Sequence, residues 1–281
     1  MKVFTCRHRV DDMLTCIYRA WEAGIKFGHE NIYLMVEPVY QISLFDEYEH
    51  IEAEPELVKK VIHSICQKIS TDAYVSVYYA CLAAEDELDT IYRFLQLGFR
   101  KGPGVVGILT EPAVTRMMEI RRRVGNEIHS FVEFARFDSI DGKVYVCHLE
   151  PKNRVLYQVA EHFADRMPME SFMMIDDRRQ YAVIHNGRYV PAEGKAPAQE
   201  GMTELQAVKQ EQLYERELSI EEMQVLKQTE EYPDEYRKLW KTFFDTITIE
   251  QRENRKCQMN HIPLWKRKHA VEFKESGWNG I

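Results

Sequence analysis

The sequence predicts an α+β protein in which an antiparallel sheet with one covering helix is flanked by N-terminal and C-terminal helices. Residues 129–138 and 143–150 are rich in β-forming side chains, and the Asp-Gly pair between them is typical of a hairpin turn. Helical spacing follows at 154–167, and two further strands are expected at 171–175 and 180–185. This β-β-α-β-β order indicates an antiparallel sheet with the helix packed on one face.

The stretch before the sheet, residues 1–125, is predicted to be mainly helical. A short edge strand at residues 3–5 comes first, and four stretches with apolar residues at helical spacing follow. These run from Asp11 or Asp12 to Gly24, from Pro55 to Ile69, from about Glu85 to Gly98, and from Thr110 and Pro112 to Arg123. The last stretch ends in a basic cluster, interpreted as cations that favour the C-terminal end of the helix dipole. The cluster consists of Arg116, Arg121, Arg122 and Arg123.

The third part, residues 191–281, is expected to hold the C-terminal helices and a basic closing segment. A capping-box pattern at Thr203 opens a polar helix to about Glu230, and Pro233 begins a helix with an aromatic face. The sheet with its covering helix occupies residues 126–190. All three parts are predicted to form one integrated domain.

Composition and charge exclude several classes of protein. The 281 residues carry a formal net charge of -8, so any affinity for nucleic acid must come from a local basic patch. Scattered cysteines without a CxxC pair favour reduced thiols in a cytoplasmic protein. No apolar run approaches the ~20 residues of a membrane span, so no membrane partner is expected. Dehydrogenase, kinase, hydrolase and iron–sulfur motifs are absent, and the sequence indicates no cofactor and no metal site.

The closing segment differs in charge from the stretch before it. Residues 201–251 contain 12 acidic and 6 basic residues, whereas residues 252–268 contain 6 basic residues and 1 acidic residue. Such a cluster can bind phosphates, with an indole stacked on a base and amides at base edges or sugars. It can equally be a solvated segment that pairs with the acidic helices. The candidate nucleic-acid-binding residues in it are Arg252, Arg255, Lys256, Gln258, Asn260, Trp265, Lys266, Arg267, Lys268 and His269.

A second group of candidate residues lies on the predicted sheet and its helix. His162 and Arg166 are four residues apart on the flank of the helix, where they could hold a phosphate or perform acid–base chemistry. Asp176 and Arg179 join the last two strands, where a carboxylate and a guanidinium could meet a nucleotide. The alternatives are a half-buried histidine at the edge of the core and an internal Asp–Arg pair within a turn.

The closing segment also resembles a known family. The string from Asn254 to His269, NRKCQMNHIPLWKRKH, is similar to the closing motif of a bacterial family of unknown function labelled probable DNA metabolism protein. The other matching stretches are 239–252, 162–166, Asp176 with Arg179, and the opening strand and helix start. Arg255 stands where that family more often has proline, and Phe172 stands where it often has tryptophan.

The resemblance implies a setting in DNA metabolism. Members of that family tend to be encoded beside a radical SAM protein for DNA modification or repair. Some members are fused to a uracil-DNA-glycosylase-type domain. These associations imply DNA and a radical SAM protein as partners.

Three functions are consistent with these residues. The first is a DNA-binding accessory protein that recognises single- or double-stranded DNA, or presents it, to a radical SAM partner. The second is an enzyme acting on a damaged base or nucleotide, with His162 as the acid–base group and Asp176 as the carboxylate. Its phosphate partners would be Arg166, Arg179 and Arg255. The third is a protein-docking module without nucleic-acid contact.

Overall fold

The computed structural model describes residues 1–40, 42–140, 144–187 and 213–231. It confirms the α+β class, with seven α-helices and two sheets among the described residues. The chain divides into two compact units, Met1–Asn126 with Lys152–Arg154, and Glu127–Pro151 with Val155–Ile281. We refer to them as unit 1 and unit 2.

Unit 1 contains a three-stranded parallel sheet in the order β2-β1-β3. Its strands are β1 (Lys2–Cys6), β2 (Ile32–Val36) and β3 (Glu47–His50). The prediction of a strand at residues 3–5 is confirmed, but its placement at an edge is wrong because β1 is the central strand. Only Lys2 in β1 is not fully buried, as expected for a strand that is covered on both faces. The other two strands were not predicted.

Five α-helices begin in unit 1, and four of them match predicted stretches. They are α1 (Val10–Phe27), α2 (Pro55–Lys68), α3 (Thr71–Cys81), α4 (Leu88–Lys101) and α5 (Pro112–Phe134). The helix missing from the prediction is α3. Ser70 begins it, because its side-chain oxygen accepts a hydrogen bond of 3.0 Å from the backbone N–H of Ala73.

Helix α5 is longer than the sequence predicts, and this shortens the first strand of the second sheet. The strand expected at 129–138 is wrong over residues 129–134, which form the last part of α5. Buried residues continue along the helix at alternating spacings of three and four, namely Met117, Ile120, Val124, Glu127 and Phe131. The strand itself is only β4 (Asp138–Ile140).

Unit 2 contains a five-stranded sheet in the order β4-β5-β6-β7-β8. Its remaining elements are β5 (Val144–Leu149), α6 (Leu156–Arg166), β6 (Ser171–Asp176), β7 (Tyr181–Asn186), β8 (Leu213–Glu217) and α7 (Ile220–Glu231). The prediction of an antiparallel sheet is wrong, because β5 and β6 are parallel and only the other neighbouring pairs are antiparallel. The physical reason is α6, which is confirmed where the sequence predicts a helix. It returns the chain to the end of the sheet at which β5 began, so that β6 runs in the same direction.

The predicted polar helix from Thr203 to about Glu230 is confirmed only in its last part, as α7. Residues 213–217 form β8 instead and pair with β7. The Asp141-Gly142 turn, the cap at Thr203 and the helix from Pro233 lie outside the described residues.

No helix in the described part of the chain is long and apolar enough to cross a membrane. The cysteines in the same part are free thiols, namely Cys6, Cys16, Cys66, Cys81 and Cys147. Within these ranges, packing and hydrogen bonds hold the fold together without disulfides.

Candidate functional site

The predicted residues Asp176 and Arg179 lie at the carboxyl end of the parallel pair β5–β6. The register places Leu149, the last residue of β5, beside Asp176, the last residue of β6. Residues that follow two adjacent parallel strands emerge at the same edge of the sheet. The turn 177–180 after β6 therefore lies next to the segment that follows β5, and the backbone N–H of Asp177 donates to the carbonyl of Leu149 at 2.9 Å.

The Asp176 side chain is fully buried and accepts three hydrogen bonds. Its Oδ1 accepts from the backbone N–H groups of Arg178 and Arg179, at 3.0 Å each, and its Oδ2 accepts from Nη1 of Arg179 at 2.8 Å. The same Nη1 donates to the carbonyl of Pro151 at 3.0 Å. Burial raises the pKa of Asp176 above its ordinary value, and the Arg179 guanidinium only partly opposes that shift.

A second polar pair, His148 with Asp177, lies beside the first. The two residues belong to β5 and to the turn after β6, and Nδ1 of His148 is 2.9 Å from Oδ1 of Asp177. Their side chains are 1% and 4% exposed, so the pair is buried. A carboxylate in this position fixes the orientation of the imidazole ring. We call Asp176, Arg179, His148 and Asp177 together the strand-end cluster.

The geometry of the strand-end cluster defines what it can do. Both Asp176 oxygens accept hydrogen bonds from protein donors. The bonds from the N–H groups of Arg178 and Arg179 fix the backbone of the turn between β6 and β7. Arg179 is 17% exposed in its side chain, so it is the member of the Asp176–Arg179 pair that reaches solvent. The arrangement orders this edge of the sheet and presents one guanidinium at the surface. Among the described residues, no group of three or more His, Cys, Asp or Glu side chains is placed to hold a metal ion.

The remaining predicted residues of this region lie elsewhere on unit 2. His162 and Arg166 are exposed on α6, and the His162 ring contacts Phe163 edge-on with ring centroids 5.5 Å apart. The structure thus brings Asp176 and Arg179 together, whereas His162 is at the surface and Asp176 is buried. The catalytic roles of His162 and Asp176 stay predictions.

Sequence reasoning missed the pairing of Asp177 with His148. The signal that could have found it is the parallel register, because a strand-helix-strand connection brings the ends of β5 and β6 to one edge. His148 is the second-last residue of β5, and Asp177 directly follows β6. An antiparallel arrangement would place these residues at opposite ends of the sheet.

The basic cluster of α5 has partners that the sequence did not predict. Arg121 pairs with Asp72 at 2.7 Å, Arg123 pairs with Glu85 at 2.5 Å, and Arg116 pairs with Glu87. Because α5 continues to Phe134, these arginines lie in the middle of the helix, and the interpretation as C-terminal dipole partners is wrong. Salt bridges to carboxylates explain the three arginines instead.

The candidate nucleic-acid-binding residues of the closing segment lie outside the described residues. They are Arg252, Arg255, Lys256, Gln258, Asn260, Trp265, Lys266, Arg267, Lys268 and His269. Their predicted role stays a prediction based on charge and residue type.

The described residues form an α+β protein with a mixed five-stranded sheet. The strand-end cluster lies at the carboxyl end of the parallel strands β5 and β6 in that sheet. The chain belongs to the family described as a domain of unknown function, DUF4130, which matches residues 85–272. This range includes the strand-end cluster and the whole basic closing segment from Arg252 to His269, and it begins after the first sheet. Comparisons with curated proteins and with solved structures found no match.

Proposed function

We propose that this chain is a DNA-binding accessory protein in DNA metabolism or repair, which recognises DNA or presents it to a radical SAM partner. The observation that carries the proposal is the charge of residues 252–268, with 6 basic residues and 1 acidic residue in a chain of net charge -8. Most DNA affinity comes from cations that replace the counterions of the phosphate backbone. The resemblance of the closing segment to a probable DNA metabolism family supports DNA as the polyanion.

The described residues also favour the closing segment, and not the arginines of α5, as the DNA-binding surface. The other arginine-rich cluster of the chain, on α5, has Arg116, Arg121 and Arg123 in salt bridges with carboxylates. Binding of DNA there would require Arg116 to leave the buried Glu87, whose side chain is only 5% exposed, and a carboxylate left buried without its partner is costly. The closing segment has the larger cationic excess, and Trp265 within it supplies an aromatic ring for stacking on a base.

The test is fluorescence anisotropy of the full chain with labelled single- and double-stranded DNA at two salt concentrations. A protein that makes six or more phosphate contacts should lose roughly 10³-fold in affinity between about 50 and 200 mM salt. A variant with Arg255→Glu, Lys266→Glu and Lys268→Glu should lose that binding and its salt dependence.

A matched control separates the closing segment from net charge. Lys60, Lys68 and Lys101 are exposed on α2 and α4, and their replacement by glutamate changes the net charge by the same amount. We expect this control variant to keep most of the DNA affinity. Equal losses in both variants, or no binding by the wild type, would refute the closing segment as the DNA surface. A salt-insensitive complex with the radical SAM protein and no DNA binding would favour a docking module instead.

A second candidate function is an enzyme acting on a damaged base or nucleotide. The observation that favours it is the strand-end cluster, because open sheets with parallel strands bind ligands beyond their carboxyl ends. Its test is release of a base or nucleotide from damaged DNA by the wild type, compared with Asp176→Asn and His162→Gln. Turnover that both variants retain would contradict these catalytic roles.

A further inference from the structure

A cavity of about 570 Å³ opens in unit 1, at the carboxyl end of its parallel sheet. Residues of all three strands or of the segments after them line it, including Thr5, Arg7, Glu37 and Tyr48, and Arg154 completes the wall. All of its lining residues belong to unit 1. The volume is within the range of about 300–1,000 Å³ that is typical of small-molecule sites.

The topology of the sheet explains why a cavity forms here. Strand β1 lies between β2 and β3, so the chain passes from β1 to a neighbour on one side and later forms a third strand on the other side of β1. Parallel sheets bind their ligands in the crevice that forms where the strand order changes direction. Arg7 directly follows β1 and Glu37 directly follows β2, which places both at this crevice.

Glu37 is held in the cavity wall by two hydrogen bonds. Its Oε1 accepts from the Thr5 hydroxyl at 2.8 Å and lies 2.6 Å from Nδ1 of His50. Burial raises the pKa of Glu37, but the bonds from His50 and Thr5 and the charge of Arg7 outweigh it and lower the pKa below its ordinary value. Glu37 is therefore an oriented carboxylate, and both bonds involve Oε1, which leaves Oε2 for a hydroxyl donor of a ligand.

The cations of the wall outnumber its carboxylate. Arg7 and Arg154 both line the cavity, together with His8, whereas Glu37 is the acidic residue of the lining. Arg7 also contacts Glu52 at 3.2 Å, but both side chains of that pair are more than half exposed. Exposed pairs contribute little free energy, so Arg7 can exchange Glu52 for a ligand at small cost. Two guanidinium groups in the lining of one cavity favour a phosphate, which accepts charge-assisted N–H hydrogen bonds.

The remaining wall is apolar and suits a flat ring. Pro38, Val39 and Ile42 line it with the Tyr48 ring, and Ile42 is 70% exposed. Tyr48 is fixed by its hydroxyl, which accepts from the backbone N–H of Ser43 at 3.0 Å. An apolar ligand group packed against Ile42 and the Tyr48 ring would remove exposed apolar surface from water, which favours binding.

We propose that this cavity binds a small phosphate ester of the nucleoside monophosphate class. Arg7 and Arg154 bind the phosphate, Oε2 of Glu37 accepts from a sugar hydroxyl, and the base packs against Tyr48 and Ile42. The proposal does not depend on DNA binding by the closing segment. Apart from Arg154, the lining residues precede the DUF4130 match at residues 85–272. The proposed nucleotide site therefore lies mostly outside the family region.

The test is calorimetric titration of the full chain at low salt with adenosine 5′-monophosphate, ribose 5-phosphate, inorganic phosphate and adenosine. We expect the nucleotide to bind with a Kd of roughly 1 mM or tighter. Loss of the phosphate in adenosine should weaken binding roughly 10- to 100-fold, because hydrogen bonds to charged groups are lost. Arg7→Gln and Arg154→Gln should each weaken nucleotide binding by a similar factor, whereas Arg100→Gln, exposed on α4 outside the cavity, should not change it.

Several results would overturn the site. They are no nucleotide binding by the wild type, adenosine as tight as the nucleotide, or an equal loss in Arg100→Gln. Equal affinities for phosphate, ribose 5-phosphate and nucleotide would refute recognition of the sugar and base. The wild type should also melt at a higher temperature with saturating nucleotide, a readout that requires no variant. If the closing-segment variant loses DNA binding but binds the nucleotide as the wild type does, the two sites are independent of each other.

Discussion

The strand-end cluster makes a specific prediction about stability. Asp176→Ala removes an acceptor from two backbone N–H groups and from the Arg179 guanidinium, and it does so in a fully buried position. Removal of one partner from a buried ion pair leaves the other charge without compensation, at a cost of about 3–5 kcal/mol. Because the Arg179 side chain is 17% exposed, we expect the lower end, about 3 kcal/mol. At an m-value of about 2 kcal/mol/M, the urea midpoint should fall by about 1.5 M.

The control for this variant is Asp165→Ala on the same unit. Asp165 is exposed on α6, and exposed carboxylates contribute less than about 1 kcal/mol. Urea unfolding followed by circular dichroism measures both variants, and hydrogen exchange of the 176–180 backbone localises the effect. A midpoint for Asp176→Ala no lower than that of Asp165→Ala would refute the view that Asp176 holds this turn.

The raised pKa of Asp176 predicts a pH dependence with a defined sign. Burial raises it above the ordinary Asp range, so the folded protein keeps this proton to a higher pH than the unfolded chain. The folded state then binds more protons over the window from the unfolded pKa of about 4 up to the folded value. The wild type should therefore lose stability relative to Asp176→Asn as pH rises through that window. An unchanged difference between the two proteins across the window would contradict the raised pKa.

Two further predictions concern packing and a buried charge in unit 1. A Cβ at Gly98 would lie 2.6 Å from Cδ1 of the buried Ile69, so Gly98→Ala should cost about 1–3 kcal/mol of unfolding free energy. Gly104→Ala should be close to neutral in the same urea titration, because nothing lies within 4 Å of its Cβ. Glu87→Gln should lower the melting temperature by weakening the bond to Arg116, since Glu87 is only 5% exposed and a charge-assisted bond contributes about 1.5–3 kcal/mol. A melting temperature equal to that of the wild type would show that the pair carries no net stability.

The elements that the sequence predicts well are those whose pattern is local. Helices α1, α2 and α4 show an apolar face at helical spacing, and α2 begins at a proline in its first turn. The order strand-helix-strand-strand from β5 to β7 follows from similarly local patterns. In each case the signal that forms the element lies within about 20 residues of sequence.

Two errors came from segments in which tertiary contacts override local preference. In α5, Gly125 and the polar Glu127 interrupt the apolar pattern of the sequence. The buried face of the helix nevertheless continues to Phe131, because Glu127 is itself buried. The aromatic and β-branched residues 131–134 then favour a strand by composition alone. In β8 four of the five residues LYERE are good helix formers, yet pairing with β7 makes them a strand.

The direction and pairing of strands explain why the candidate sites were harder to predict than the helices. Parallel pairing of β5 and β6 brings Asp177 to His148, although 29 positions separate them in the sequence. In unit 1 the order β2-β1-β3 brings Thr5, Glu37 and His50 into contact, and two of those three strands were not predicted. The Asp176–Arg179 pair spans three positions within one turn, so a local pattern was enough to find it. Contacts across a sheet depend on register, and a one-residue change of register would turn the strand residues Thr5, His50 and His148 to the opposite face.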